Sequence, residues 1–147
     1  MTQDRSLDSV YIPLKITFGL VPLLAGLDKF FGVLANWDAY LAPSVAAMLP
    51  FSAHTFMMIV GVIEMAVGLA ILTKLTRLGA YVAMTWLVLI ACNLLLAGML
   101  DVAVRDLAMA VGAYSLGTVA GLKGLAWLPG GSARSAEQWK PHASSIR

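Results

Sequence analysis

The sequence predicts an all-α protein, an integral membrane four-helix bundle with both termini in the cytoplasm. Hydrophobic residues make up 60% of the 147 residues and charged residues only 12%, more apolar surface than one small soluble core can bury. The mean hydropathy is +0.83. The chain also contains four apolar stretches near the length of about 20 residues that a helix needs to cross a bilayer.

The first two spans carry charged residues inside apolar sequence. The first has a charge-free centre that covers only Ile16 to Leu27, so Lys15 and Lys29 must reach toward the bilayer surface or find partners. The second, SAHTFMMIVGVIEMAVGLAILT, places Glu64 near its middle, about 15 Å of helix from either end. A carboxylate at that depth must be protonated, paired with a base or turned toward other helices, so Glu64 marks a candidate site.

The third and fourth spans complete the bundle. The third has no charged residue, and the fourth ends where Pro129 begins a Pro-Gly-Gly sequence that stops a helix. The predicted spans are about 11–34, 53–73, 78–100 and 107–128, within a single membrane domain, 1–128, followed by a polar cytoplasmic tail, 129–147.

The positions of lysine and arginine predict the orientation. Four spans place both termini on one side, and taking that side as cytoplasmic leaves only Lys29 and Arg105 near the outer face. This distribution follows the positive-inside rule. The basic residues on the predicted cytoplasmic side are Arg5, Lys15, Lys74, Arg77, Lys123, Arg134, Lys140 and Arg147.

The first outer connection, 35–52, is predicted to lie at the membrane interface. Trp37 and Tyr40 have the amphipathic rings that favour this region, and Ala42 to Leu49 is expected to form a short surface helix. Two interpretations remain open for this connection: a re-entrant or interfacial segment, and an ordinary loop anchored by its aromatic residues.

Composition excludes several kinds of site. The net charge of +2 is small and its basic residues are spread along the chain, so nucleic-acid binding is excluded. The single cysteine, Cys92, cannot form a disulfide or a cysteine metal cluster within one chain. His54 and His142 lie on opposite sides in the predicted topology and cannot bind one haem together. The sequence therefore predicts no metal site and no intrinsic cofactor.

Small residues share one face of each of the first two spans. In the second span Gly61, Glu64 and Gly68 lie on one side of an ideal helix. Small residues at such spacing let helix backbones approach closely in lipid, so tight packing is expected here. The corresponding face of the first span comprises Lys15, Gly19, Pro22, Gly26 and Lys29.

The polar groups at membrane depth form the predicted site. All lie in the outer half of the spans except Glu64, which lies just below them. A bundle can gather them into one pocket open to the outer side, with Glu64 as its floor and Lys29 or Arg105 as the countercharge. The candidate site residues are Glu64, Lys29, Asp28, Asn93, Arg105 and Asp106.

Structural and functional interpretations of this site both remain open. A buried ion pair can fix how helices align, whereas a pocket with a protonatable floor can bind a quinone head group or relay protons. Asn93 alone is typical of hydrogen bonds between helices. Asp106 has the charge that favours capping of the fourth helix near its N-terminus.

The pattern resembles the DoxX-like family of small four-helix bacterial membrane proteins, which includes DoxX and DoxD and is related to MauE. The resemblance covers about residues 14–122. It rests on LKITFGLVPLLAGLDKFF, GVIEMAVGLAILT, the Leu75-Thr76-Arg77 turn and VRDLAMAVGAYSLG. Where the family has an arginine early in the first span, this chain has Lys15, which keeps the charge but lacks the planar fork. The residues that carry most of the resemblance are Gly26, Lys29, Gly61, Glu64, Gly68, Arg77 and Asp106.

The resemblance implies a role near redox metabolism. DoxD-type members are subunits of a thiosulfate:quinone oxidoreductase, DoxX-type members associate with oxidative-stress proteins, and MauE-type members assist maturation of a periplasmic enzyme. We therefore expect a membrane subunit or accessory protein of a redox or respiratory assembly in the bacterial cytoplasmic (inner) membrane, one that interacts with quinone. Its expected partners are the lipid bilayer, membrane or periplasmic redox proteins, and further copies of itself.

Other functions remain open at this point. Because the chain has no haem, flavin or iron–sulfur motif, a non-catalytic subunit is favoured over an independent enzyme. One alternative is a small-solute or proton-coupled membrane carrier, for which four spans would have to oligomerise. Another is a scaffold or maturation factor for a partner enzyme, in which Glu64 contributes only to assembly.

Overall fold

The computed structural model describes residues 2–128, and the predicted cytoplasmic tail, 129–147, lies outside the described residues. Over residues 2–128 the chain is helical and contains no strand. The elements are α1 (Thr2–Asp28), a turn of 3-10 helix (Trp37–Tyr40), α2 (Pro43–Ala46), α3 (Ala53–Leu72), α4 (Thr76–Leu96) and α5 (Leu100–Leu122). The helices α1, α3, α4 and α5 are each long and apolar enough to cross a membrane. The predicted all-α class with four such helices is confirmed.

Helix α1 ends earlier than the first predicted span. The apolar run continues to Leu34, but the helix ends at Asp28. The Asp28 carboxylate accepts hydrogen bonds from the backbone N–H groups of Val33 (2.9 Å) and Leu34 (3.0 Å), which turns the chain. Gly32 has a φ of 64°, a left-handed conformation that glycine adopts without strain.

Helix α5 begins and ends earlier than the fourth predicted span. It starts at Leu100, with Met99 as its N-cap residue, and ends at Leu122. Asp106 therefore lies in the second turn of α5, too far from the first backbone N–H groups to cap them. The prediction that Asp106 caps this helix is wrong, and Asp101 is the acidic residue of its first turn.

The four long helices pack as two pairs. Helix α1 packs mainly against α3, and α4 mainly against α5. The short turns that join α3, α4 and α5 make sequential neighbours antiparallel. One apolar core joins the pairs, and its buried residues are Phe18, Val67, Ile71, Ala80, Ala83, Ala113 and Leu116.

Helices α1 and α3 approach each other through glycines. A Cβ atom added at Gly61 would lie 2.6 Å from the carbonyl oxygen of Gly26, and one added at Gly68 would lie 2.6 Å from that of Gly19. No side chain fits in such a gap. The predicted tight packing of these two faces is confirmed, and it brings the residues that follow α1 against the middle of α3.

The two ends of the bundle differ. The loop end contains residues 29–52 and the α4–α5 turn. At the opposite end, polar contacts tie α1 to its neighbours: the Lys15 ammonium group donates to the carbonyl oxygen of Thr73 at 3.1 Å, and Lys123 forms an ion pair with Asp8. These contacts hold α1 in place far from the predicted site.

Candidate ligand-binding cavity

A cavity of about 660 Å³ lies inside the bundle toward the loop end. Side chains from all four long helices and from the loop after α1 line it, and most of them are apolar. The structure brings five of the six predicted site residues to this cavity: Lys29, Glu64, Asn93, Arg105 and Asp106.

Lys29 and Glu64 form a buried ion pair on the cavity wall. The Lys29 Nζ atom lies 2.6 Å from Glu64 Oε2, and the two side chains are only 3% and 10% exposed. Of the two predicted countercharges for Glu64, the structure places Lys29 against the carboxylate, whereas Arg105 is exposed. Because both groups are buried, water cannot solvate either charge well, and each charge is stabilised mainly by the other.

Trp37 covers the Lys29 ammonium group and links it to Asp28. The Lys29 Nζ atom lies 3.8 Å from the centre of the Trp37 ring, a cation–π contact. The Trp37 indole N–H donates to Asp28 Oδ2 at 2.8 Å. Asp28, the sixth predicted site residue, does not line the cavity. It orients the ring that covers Lys29.

Asn93 holds the loop against the bundle. Its amide nitrogen donates to the carbonyl oxygen of Tyr40 at 2.7 Å, and its side-chain oxygen accepts from the backbone N–H of Ala42 at 3.0 Å. The prediction that Asn93 bonds between membrane-spanning helices is wrong, because both of its partners are backbone groups of the connection between α1 and α3. Leu41 and Ala42 are buried, so this segment packs onto the bundle. The helix predicted within 42–49 is present as the single turn of α2.

Two polar groups at the cavity make no well-formed hydrogen bond within residues 2–128. The Asp106 carboxylate on α5 is half-buried, and no side chain or backbone group of the described residues donates to it. The Trp86 indole N–H on α4 is buried near Glu64 but makes no well-formed hydrogen bond. The Glu64 carboxylate is an acceptor close to this N–H group, so Trp86 is weakly bonded rather than isolated.

The charges on the cavity wall balance. Its charged side chains are two cations, Lys29 and Arg105, and two carboxylates, Glu64 and Asp106, so its formal charge is zero. Within residues 2–128 no group of three histidine, cysteine, aspartate or glutamate side chains is placed to hold a metal ion. The arrangement suits a neutral molecule with an apolar body and a few oxygen atoms.

Sequence reasoning missed part of this site. Trp37 was expected only as an interface anchor, and Trp86 was not singled out. Trp86 lies in a span without charge, where an aromatic residue gives no signal of its own. Its position near Glu64 depends on how α4 is rotated against α3, which the sequence does not specify.

Comparison of the chain with known protein families, with curated proteins and with solved structures finds no match. The resemblance to the DoxX-like family therefore stays a prediction.

Proposed function

We propose that this chain binds a quinone-class molecule in its cavity and serves as a non-catalytic membrane subunit or accessory protein of a redox assembly. The observation that carries the proposal is the largely apolar cavity of about 660 Å³ with a buried ion pair on its wall. This volume is within the ~300–1,000 Å³ typical of sites for small molecules and cofactors.

A neutral, lipid-soluble ligand fits the lining best. The formal charge of the wall is zero, which favours neither an anion nor a cation. Phe18, Trp37 and Trp86 present aromatic surface to the cavity, and flat rings stack or pack edge to face against such surface. A few polar groups in an apolar pocket fix the orientation of a ligand, as the head group of a quinone requires.

The ion pair supplies the polar end of the proposed site. An ammonium group has three N–H donors. Glu64 accepts one from Lys29, and another hydrogen can donate to a ligand oxygen. Glu64 is the proposed proton acceptor or relay, with its charge held by Lys29.

The proposed location is the bacterial cytoplasmic membrane, with four spans and both termini in the cytoplasm. The four long apolar helices and the concentration of basic residues at the opposite end support it. The assignment to a redox assembly is supported by the DoxX-like resemblance. Exposed apolar side chains at the loop end, Phe31, Val33 and Met48, offer a surface to membrane or periplasmic redox partners.

A variant that fills the cavity tests the proposal. Val60 lies on α3, is buried and lines the cavity. We expect Val60→Phe to weaken the binding of 1,4-naphthoquinone by about tenfold or more, a loss of at least ~1.4 kcal/mol, because the new ring occupies ligand space. The measurement is equilibrium dialysis with the full chain in nanodiscs.

Val62→Phe is the matched control, because Val62 lies on the same helix and is 54% exposed outside the cavity. Its dissociation constant should equal that of the unmodified chain. If the two variants bind naphthoquinone equally well, the ligand does not occupy this cavity and the proposal fails.

A further inference from the structure

We infer that the cavity selects the reduced, dihydroxy form of its ligand over the oxidised quinone, through a hydrogen bond from a ligand hydroxyl group to Asp106. This inference rests on the proposed function. Its starting point is the Asp106 carboxylate, which lines the cavity and accepts no hydrogen bond from the described residues.

The Asp106 carboxylate accepts no hydrogen bond from the described residues. An ionised carboxylate accepts hydrogen bonds and donates none. Lys29 lies close enough for its charge to act on Asp106, but its ammonium group bonds to Glu64. Arg105 affects Asp106 by charge alone and is exposed. A hydroxyl group of the ligand can therefore supply a hydrogen bond that no group of the described residues makes to this carboxylate.

The two redox forms of the ligand differ in whether they can donate a hydrogen bond to Asp106. A quinone carries two carbonyl oxygens and no donor, so its oxygen would meet the Asp106 oxygens as acceptor against acceptor. A quinol carries two hydroxyl groups, and one of them can donate to Asp106. Hydrogen bonds to charged groups are the stronger kind, so Asp106 discriminates between the two forms.

Trp86 contributes affinity without discrimination. Its indole N–H is a donor only, and an oxygen atom of either form can accept from it. Lys29 and Arg105 also line the cavity, but as donors only they serve an oxygen atom of either form. Both ends of the Asn93 amide bind the loop, and Glu64 already accepts from Lys29. The preference therefore depends on Asp106.

The experiment compares two probes of the same size, 1,4-dihydroxynaphthalene and 1,4-naphthoquinone, with the full chain in nanodiscs under anaerobic conditions. We expect the dihydroxy probe to bind about 10- to 100-fold tighter, the range that one hydrogen bond to a charged group supplies. Asp106→Asn should lose most of this preference, because the amide carries no charge and itself donates.

Asp101→Asn is the matched control, because Asp101 is an exposed carboxylate on the same helix that does not line the cavity. It should keep the full preference. Helicity and monodispersity of both variants are compared first, and the two probes on the unmodified chain decide the question even where a variant misfolds.

Equal dissociation constants for the two probes on the unmodified chain would overturn the inference while leaving the proposed function intact. If a folded Asp106→Asn variant still prefers the dihydroxy probe, the inference is likewise overturned and the proposed function is unaffected. Binding of neither probe would reject the proposed function itself.

Discussion

Replacement of Lys29 by methionine is expected to lower the free energy of unfolding by about 3–5 kcal/mol, the cost typical of removing one partner of a buried ion pair. In the folded chain the Lys29 ammonium group lies 2.6 Å from Glu64 Oε2. Without it, Glu64 keeps a buried carboxylate with no cation to offset its desolvation. The Trp37 ring also loses the charge that it covers.

Two further variants separate the effect of the lost ion pair from the effect of replacing a lysine. The double replacement Lys29→Met with Glu64→Leu removes both charges and should recover most of the loss, because apolar pairs often replace buried ion pairs without cost. Lys15→Met is the control: Lys15 is a lysine of α1 that is only partly buried and bonds to one carbonyl oxygen, and its loss should cost about 1 kcal/mol.

The free energies are measured by unfolding in mixed micelles of mild detergent and sodium dodecyl sulfate, followed by circular dichroism. If Lys29→Met and Lys15→Met cost the same, the ion pair does not contribute as described. If the double variant is less stable than Lys29→Met alone, packing around Lys29 rather than its charge determines the loss.

Gly61→Ala is expected to destabilise the bundle by about 1–3 kcal/mol, as overpacking does in tightly packed interiors. The added methyl group would lie 2.6 Å from the carbonyl oxygen of Gly26. Backbone cannot move aside as the end of a flexible side chain can, so α1 and α3 must separate. The separation would also lengthen the contact between Lys29 and Glu64.

Gly121→Ala is the matched control on α5. A Cβ atom there would meet the Arg77 side chain at 3.4 Å, an ordinary contact distance. Because alanine favours helix over glycine by up to about 1 kcal/mol, this variant should be as stable as the unmodified chain or slightly more stable. The measurement is thermal unfolding of the two variants under the same conditions. Equal losses of stability in Gly61→Ala and Gly121→Ala would contradict the close α1–α3 contact.

The sequence predicts most of the helical architecture because its signals are local. Apolar runs define four long helices, and the spacing of Gly19 and Gly26 predicts a face of the first span that packs closely against another helix. The end of α1 is missed because the apolar residues up to Leu34 look like more of the span. Only the hydrogen bonds to Asp28 reveal the turn.

The candidate site is predictable in its parts but not in its pairing. Glu64 is easily identified as a candidate because it is a carboxylate within apolar sequence. The sequence does not decide between Lys29 and Arg105 as its partner, because that depends on how the helices pack. Asp106 is misjudged as a helix cap because its charge, next to Arg105, looks like the boundary of a span. Trp86 gives no signal because its role depends on the rotation of α4.

The proposal that the cavity holds a quinone-class molecule is decided by native mass spectrometry of the full chain, extracted in nanodiscs from the membranes in which it is made. We predict a species heavier than the chain by one quinone-class molecule, present also in Val62→Phe and absent in Val60→Phe. A chain that carries no small molecule, or that carries the same phospholipids in both variants and nothing else, would contradict the proposal.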